Sequence, residues 1–176
     1  MGDSRGIEVG ETAPDVGAPL VHPDGEVTET KLSELFEETP VLLSFYTNDF
    51  TPDCIEEWCS FRDYDWFASG DQVQVVGVSR SRAYTHRKFI DYLDLGFPLY
   101  ADRDLDISDA FGVTYRVFKV AARSRRSCFL LDSDGRVRYK WVGEHPLDPT
   151  RDTPPVSEIH EAITDEFGEE HETFGL

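Results

Sequence analysis

The sequence predicts an α/β fold in which a central mixed β-sheet carries helices on both faces. Two unbroken apolar runs, VLLSFY and QVVGVS, have the length of strands. They lack the alternation of apolar and polar residues that is typical of a strand with one solvent-exposed face. Each run precedes a segment of helical character, and an Asp-Gly pair near the end of the chain indicates a hairpin. This strand-helix-strand-helix order, followed by a hairpin and a last helix, is typical of such a sheet.

The first half of the chain predicts two strands and two helices. HPDGEVTETKLSELF contains a Pro-Asp-Gly turn, a short Thr-rich strand and a brief helix from about Leu32 to Phe36. The buried strand VLLSFY follows Pro40, and a longer helix is expected from about Pro52 to Ala68. Catalytic groups in such sheets tend to lie where the carboxyl end of a strand turns into a helix, as it does here.

The second half begins with QVVGVS, which predicts a second buried strand. The helix expected next has four aromatic or apolar positions: Tyr84, Phe89, Tyr92 and Leu93. Gly96 is expected to cap that helix, and a weaker helix is expected near Asp104 to Phe111. RSCFLLDSDGRVRYKWV predicts two strands around Asp134-Gly135, and a helix from Pro155 to about Phe167 precedes an acidic tail at residues 168–176.

The composition predicts one domain over residues 1–176, with enough apolar residues, 39%, to form a core. The net charge is -18, with 35 acidic residues against 17 basic ones, so the chain would repel phosphate backbones and anionic lipids. We therefore expect no nucleic-acid partner and no membrane partner. Only 4 of the 17 basic residues are lysines, which suggests the hypothesis of an acidic surface adapted to a very salty cytosol.

The location expected for the chain is the cytoplasm. The first residues, MGDSRGIEVGETAPD, contain acids and no apolar run, which indicates neither a secretory signal nor a membrane span. Three cysteines make an odd count, which does not suggest the disulfide framework of a secreted protein.

The segment FYTNDFTPDCIEEWCSFRD carries the chemistry that the sequence predicts. Thr51 is a good N-cap and Pro52 suits the first helical position, so Cys54 becomes the third helical residue. There its sulfur lies among unpaired N–H donors at the positive end of the helix dipole, which favours a thiolate. An equally simple interpretation is a small buried cysteine near an ordinary helix start, because free cysteines are often buried. Activation would also need a cation from elsewhere in the chain.

The same segment resembles the active-site segment of the peroxiredoxins, the AhpC/TSA group of thiol peroxidases. The spacing of the two cysteines is most similar to the peroxiredoxin Q, or bacterioferritin comigratory protein, type. Further stretches resemble the family in the expected order: VGETAPD, GVSRSRAYTHRKF, FPLYADRD and RSCFLLDSDGRVRYKW. The resemblance covers most of the chain and implies a thioredoxin-like fold.

The resemblance also implies roles for particular residues. In the family's Pro-x-x-x-Thr-x-x-Cys motif, Cys54 matches the peroxidatic cysteine and Thr51 the threonine that hydrogen-bonds the peroxide. Arg126 matches the arginine that opens a late strand beside the thiolate, which makes it the missing cation, and Glu57 matches the acid that positions this arginine. The implied enzyme is a thiol-dependent peroxidase that reduces hydrogen peroxide or alkyl hydroperoxides through a sulfenic acid on the cysteine.

Two residues just before this helix are expected to line the substrate pocket. They are Tyr46, at the end of the first buried strand, and Thr47, which stands where the family motif has proline.

Cys59 matches the resolving cysteine of the family. In an ideal helix, Cα atoms five residues apart are ~8.7 Å apart, whereas a disulfide needs less than ~7 Å. A bond between Cys54 and Cys59 would therefore require the first turns of the helix to unwind after oxidation. A thioredoxin-like or glutaredoxin-like partner would then reduce it. The alternative for Cys59 is a packed residue of the helix.

The remaining chemically active side chains are expected to be structural. Cys128 is expected in the core of a strand, with a minor redox role left open because it lies on the same strand face as Arg126. His86 is expected to have no catalytic role, since a thiolate stabilised by an arginine needs no base. No histidine or cysteine spacing suggests zinc, so no metal or other cofactor is expected.

Three functions remain open from the sequence. The first is the thiol peroxidase. The second is a thiol-disulfide oxidoreductase, which the absence of Cys-x-x-Cys weakens. The third is a redox sensor or chaperone with little peroxide turnover. The sequence leaves open whether the chain is a monomer or a homodimer.

Overall fold

The structure is a computed structural model that describes residues 6–46, 49–50, 52–63, 73–117, 121–143 and 157–165. Its strands are β1 (Gly17–Val21), β2 (Val27–Lys31), β3 (Val41–Phe45), β4 (Gln74–Ser79), β5 (Leu99–Ala101), β6 (Thr114–Val117), β7 (Ala121–Ser124), β8 (Ser127–Leu131) and β9 (Val137–Val142). Its helices are α1 (Leu32–Phe36), α2 (Pro52–Asp63), α3 (Ala83–Leu93), α4 (Asp106–Ala110) and α5 (157–165).

Seven of the strands form one mixed sheet in the order β2-β1-β5-β4-β3-β8-β9, and β6 and β7 form a separate hairpin. The strands β3, β4 and β5 are parallel, whereas β8 runs antiparallel to β3 and β9 antiparallel to β8. The arrangement confirms the prediction of a central mixed sheet.

Successive residues of β3 point to opposite faces of the sheet and explain its unbroken apolar sequence. Leu42 packs into a core cluster with residues of α2, α3 and α5. Val41, Leu43 and Phe45 pack into a second cluster on the other face, with residues of α1 and α4. Every residue of the strand is buried, as expected for a strand covered on both sides. The helices therefore lie on both faces, as predicted.

Most predicted elements are present, and several of their ends differ. The predicted helix Leu32 to Phe36, the strand QVVGVS and the Asp134-Gly135 hairpin are confirmed. The helix predicted from Pro52 is described as far as Asp63, and its predicted continuation to Ala68 lies outside the described residues. The sequence interpretation did not identify β1, β5 or the β6-β7 hairpin.

The predicted glycine cap of α3 is wrong. Asp94, with φ of 54°, is the left-handed residue that ends the helix, and its N–H bonds to the carbonyl groups of Ile90 and Asp91. Aspartate is one of the few residues besides glycine that visits this conformation routinely. The helix therefore ends at Leu93, and its capping residue lies two positions before Gly96.

Candidate active site

Cys54 is the third residue of α2, at the point where the carboxyl end of β3 leads into that helix. Its side chain is fully buried in the core cluster beneath α2 and α3. The N–H groups of a helix's first turn lack acceptors within the helix, and the helix dipole is positive at this end. This position favours an anion on the sulfur.

Arg126 brings a cation to Cys54 from 72 positions further along the chain. It directly precedes β8, and β8 lies antiparallel to β3 with Ser127 opposite Phe45. The beginning of β8 thus reaches the end of the sheet at which β3 finishes. The guanidinium is buried, and its Nη2 donates a hydrogen bond to Cys54 Sγ across 3.2 Å.

Glu57 holds the other arm of this guanidinium. It lies one helical turn beyond Cys54 and so shares a face of α2 with it. Arg126 Nη1 donates to Glu57 Oε1 across 2.7 Å, and both side chains are buried. The structure therefore brings together Cys54, Glu57 and Arg126, three of the residues that the sequence singles out.

The charges of this cluster depend on one another. Burial raises the pKa of Glu57 above its usual value, and Arg126 and a hydroxyl from Ser44 counteract only part of that rise. Burial by itself would lower the pKa of Arg126, but Glu57 and Cys54 outweigh it and raise that pKa. The guanidinium therefore keeps its charge in the interior because Glu57 and Cys54 face it.

Ser44 is a member of the cluster that sequence reasoning missed. This β3 residue is fully buried, and its Oγ donates to Glu57 Oε2 across 2.9 Å. The signal in the sequence was a serine within the apolar run VLLSFY, because a buried hydroxyl needs a hydrogen-bond partner.

Cys128 lies in the core of β8, as predicted. Its sulfur is 3.4 Å from Ser44 Oγ and is fully buried. Burial, followed by the nearby Glu57 carboxylate, raises the pKa of this thiol far above its usual value. Since the thiolate is the nucleophilic form, this environment disfavours the reactive form of Cys128.

Cys59 is half-buried on α2, and the structure has all three cysteines of the chain in the reduced form. The helix is continuous from Pro52 to Asp63, so Cys54 and Cys59 belong to one unbroken helix. The separation of ~8.7 Å between Cα atoms in an ideal helix therefore applies, and it is too long for a disulfide.

Tyr46 lies next to this cluster and is fully buried. Its hydroxyl donates to Asp49 Oδ1 across 2.6 Å, and its ring contacts that of Trp58 at 5.5 Å between centroids. Burial and then Asp49 raise the pKa of Tyr46 well above its usual value, so the phenol keeps its proton. Trp58 follows Cys54 by one turn of α2, so the phenol packs against the helix that carries the cysteine.

His86 is also fully buried, although its helix is rich in polar residues. Its Nδ1 lies 2.7 Å from Asp49 Oδ2 and its Nε2 lies 2.8 Å from the carbonyl oxygen of Tyr100. The sequence interpretation did not anticipate this network, because it depends on a contact between segments 37 positions apart.

Two predicted site residues, Thr47 and Thr51, lie outside the described residues. Among the residues that the structure describes, no group of histidine, cysteine and carboxylate side chains is arranged to hold a metal ion. None of the described helices is long and apolar enough to cross a membrane.

Comparison with known proteins agrees with this geometry. Residues 9–140 match the AhpC/TSA family. Peroxiredoxin Bcp of Bacillus subtilis is 34% identical over 161 residues, which cover 86% of this chain and 98% of that protein. A putative peroxiredoxin bcp of Coxiella burnetii is 33% identical, over 77% of this chain and 88% of that one.

Solved structures show the same fold. Peroxidoxin BcpB of Mycobacterium tuberculosis superposes with a TM-score of 0.72 at 26% identity, over 90% of this chain and 95% of that chain. A cysteine-to-serine mutant of PrxQ from Xylella fastidiosa also gives 0.72, at 23% identity, over 93% of this chain and 97% of that chain. The thioredoxin-like fold implied by the resemblance is confirmed. The chain belongs to the AhpC/TSA family, and within it to the peroxiredoxin Q or Bcp type.

Proposed function

We propose that the chain is a thiol peroxidase in which Cys54 is the peroxidatic cysteine and Arg126 the cation that activates it. The observation that carries this proposal is the buried guanidinium 3.2 Å from the Cys54 sulfur, held in place by Glu57 at 2.7 Å. A charge-assisted contact of this kind stabilises a thiolate and the charge that develops as the O–O bond breaks.

The reaction transfers one oxygen atom and two electrons. The Cys54 thiolate attacks the terminal peroxide oxygen, an S–O bond forms and the O–O bond breaks. The other oxygen leaves as hydroxide or alkoxide and takes a proton to become water or an alcohol, and the cysteine becomes a sulfenic acid. In this proposal Thr51 hydrogen-bonds the peroxide, while Tyr46 and Thr47 line its pocket.

Resolution by Cys59 is the second part of the proposal. The Cys59 thiol attacks the Cys54 sulfenic acid, an S–S bond forms and water leaves. Because both cysteines belong to one continuous helix, the first turns of α2 must unwind before the sulfurs meet. A thioredoxin-like or glutaredoxin-like protein in the cytoplasm then returns two electrons and restores both thiols.

Steady-state consumption of hydrogen peroxide with a thioredoxin system tests this function. Rapid consumption that is lost in Cys54→Ser and Arg126→Ala is the expected result. Arg138→Ala is the control, because Arg138 pairs with Asp132 on the hairpin of β8 and β9. Insulin reduction without peroxide turnover would instead indicate an oxidoreductase, and the absence of both activities would indicate a sensor. Mass spectrometry of peroxide-treated protein tests the Cys54 to Cys59 bond.

A further inference from the structure

A buried polar network joins the segment between β3 and α2 to α3, and two of its members, Asp49 and His86, have no role in the proposed chemistry. The side chains of Asp49 and His86 are both fully buried and lie 2.7 Å apart. The second carboxylate oxygen accepts from Tyr46, and the N–H of Asp49 donates to Ser81 Oγ across 3.0 Å. Both carboxylate oxygens and the backbone N–H of Asp49 are thus engaged.

The hydrogen bonds of His86 fix the orientation of its ring. A carbonyl oxygen only accepts, so the Nε2 facing Tyr100 carries a proton. Nδ1 lies 2.7 Å from Asp49 Oδ2, so both ring nitrogens have a partner. Removal of the carboxylate would take a hydrogen-bond partner from each of two buried side chains, His86 and Tyr46. A buried polar group that loses its partner destabilises the fold.

Phe50 gives the same segment a second attachment to α3. Its ring contacts those of Phe89 and Tyr92, with centroids 5.2 and 5.6 Å away. Its φ of 65° lies in the left-handed region, which is unfavourable for a bulky residue and persists only where the surroundings impose it. The segment is therefore held against α3 in a strained conformation.

The intact α2 helix, as seen in the structure, has an unfavourable feature of its own. Trp58 Nε1 is buried and has no hydrogen-bond acceptor among the residues that the structure describes. Unwinding of α2 that exposes this donor to water would remove the cost of burying it without an acceptor. The Asp49–His86 pair opposes unwinding, because it holds the chain just before the helix.

We propose that Asp49 and His86 are positioning residues that act as a latch on the start of α2. The latch keeps Cys54 beside Arg126 and sets how readily the first turns of the helix open. This role rests on the proposed function in one respect, because opening lets the sulfenic acid reach Cys59. A second peroxide competes with that step: it transfers an oxygen to the sulfenic acid, which becomes a sulfinic acid while the peroxide becomes water.

The test compares Asp49→Ala with Asp49→Asn in the full chain. Alanine removes the bonds to both Tyr46 and His86. Asparagine is nearly isosteric, and its amide can accept from Tyr46 and donate to His86 Nδ1. The first readout is amide hydrogen exchange of the α2 peptide in the reduced protein. The second is the ratio of Cys54–Cys59 disulfide to Cys54 sulfinic acid after excess peroxide.

We expect exchange at the start of α2 to be at least tenfold faster in Asp49→Ala and within threefold of wild type in Asp49→Asn. The disulfide to sulfinic ratio should rise at least threefold in the alanine variant only. Unchanged exchange in a folded Asp49→Ala protein would overturn the proposal. A uniform rise across all peptides, or equal effects of alanine and asparagine, would also overturn it.

A second variant and an independent readout cover the cases in which Asp49→Ala does not fold or no disulfide forms. If Asp49→Ala does not fold, Ser81→Ala removes only the acceptor of the Asp49 N–H and should accelerate α2 exchange about threefold. No local acceleration in that variant overturns the latch. If the wild type forms no Cys54–Cys59 bond, the resolution step of the proposed function fails, whereas hydrogen exchange still decides the latch because it needs neither peroxide nor Cys59.

Discussion

Ser44 Oγ donates to Glu57 Oε2 across 2.9 Å, so a hydroxyl from the centre of the sheet orients the carboxylate that holds Arg126. The chain of contacts continues from Arg126 to the Cys54 sulfur. Ser44, a buried polar residue in an apolar strand, thus supports the cation that faces the sulfur. Removal of its hydroxyl should therefore affect the reaction at Cys54.

Ser44→Ala should move the acid side of the pH-activity profile to higher pH. Burial already raises the pKa of Glu57, and the Ser44 hydroxyl is one of the groups that lowers it. Without that hydroxyl the pKa of Glu57 rises further, so the carboxylate becomes protonated and releases its hold on Arg126 at a higher pH. Peroxide consumption measured from pH 5 to 8 checks the shift.

Two matched variants make this prediction specific. Cys128→Ala removes the other neighbour of the Ser44 hydroxyl and should leave the profile unchanged. Glutamine at position 57 cannot titrate. The activity of Glu57→Gln at low pH should therefore fall no further when Ser44→Ala is added to it. A Ser44→Ala profile that coincides with the wild-type profile would contradict the support assigned to Ser44.

Gly77→Ala should destabilise the fold and slow the peroxidase reaction. A Cβ at this β4 position would lie 2.5 Å from both Leu99 Cδ2 and Trp58 Cζ2. Trp58 belongs to α2, so relief of the clash displaces the helix that carries Cys54. Overpacking of this kind costs about 1–3 kcal/mol in the free energy of unfolding. Urea denaturation and peroxide assays measure the two effects.

The control for that substitution is Gly96→Ala, because nothing lies within 4 Å of a Cβ at Gly96. It should leave both the free energy of unfolding and the activity near their wild-type values. Equal stability of the two alanine variants would show that β4 tolerates the extra methyl group.

Asp132→Asn should flatten the dependence of stability on pH in acid. Partial burial raises the pKa of Asp132, but N–H groups of the hairpin and the Arg138 side chain outweigh it, so the pKa is lowered on folding. A group of this kind stabilises the fold above its unfolded pKa of ~3.9 and loses that contribution as the pH falls through the folded value. Asparagine should cost about 1–2 kcal/mol at pH 7 and less at pH 3. Urea midpoints at the two pH values check this, and an equal cost at both would contradict it.

The acidic composition predicts stabilisation by salt. A net charge of -18 on 176 residues makes the folded chain repel itself, and added ions screen that repulsion. The thermal midpoint should therefore rise between 0.1 and 2 M KCl. A midpoint independent of KCl would remove the hypothesis of adaptation to a salty cytosol.

The sequence predicts the central strands, helix α1 and the hairpin well because these depend on local patterns. The strand β3 is apolar almost throughout, and Asp134-Gly135 is a strong turn signal. The three-residue strand β5 has no such pattern, and it forms because β4 and β1 offer it edges on both sides. The cap of α3 was missed because Gly96 is intrinsically favoured, yet Asp94 adopts the left-handed conformation.

The candidate site divides in the same way. The position of Cys54 at a helix start could be predicted from local signals, and its role, with those of Arg126 and Glu57, from the resemblance to a family. Ser44, Asp49 and His86 could not, since their importance arises from contacts between distant segments. A buried hydroxyl or imidazole becomes informative only when its partner is known.

The role of Arg126 in activating Cys54 can be measured as the second-order rate of Cys54 oxidation by hydrogen peroxide in a single turnover. Arg126→Ala should lower this rate about 10²–10³-fold, the loss typical for removal of one preorganised donor from a developing charge. Arg126→Lys keeps a positive charge but cannot contact Glu57 and Cys54 at the same time as the guanidinium does. Its oxidation rate should lie between those of the wild type and Arg126→Ala. A folded Arg126→Ala protein that reacts within threefold of the wild-type rate would contradict the account.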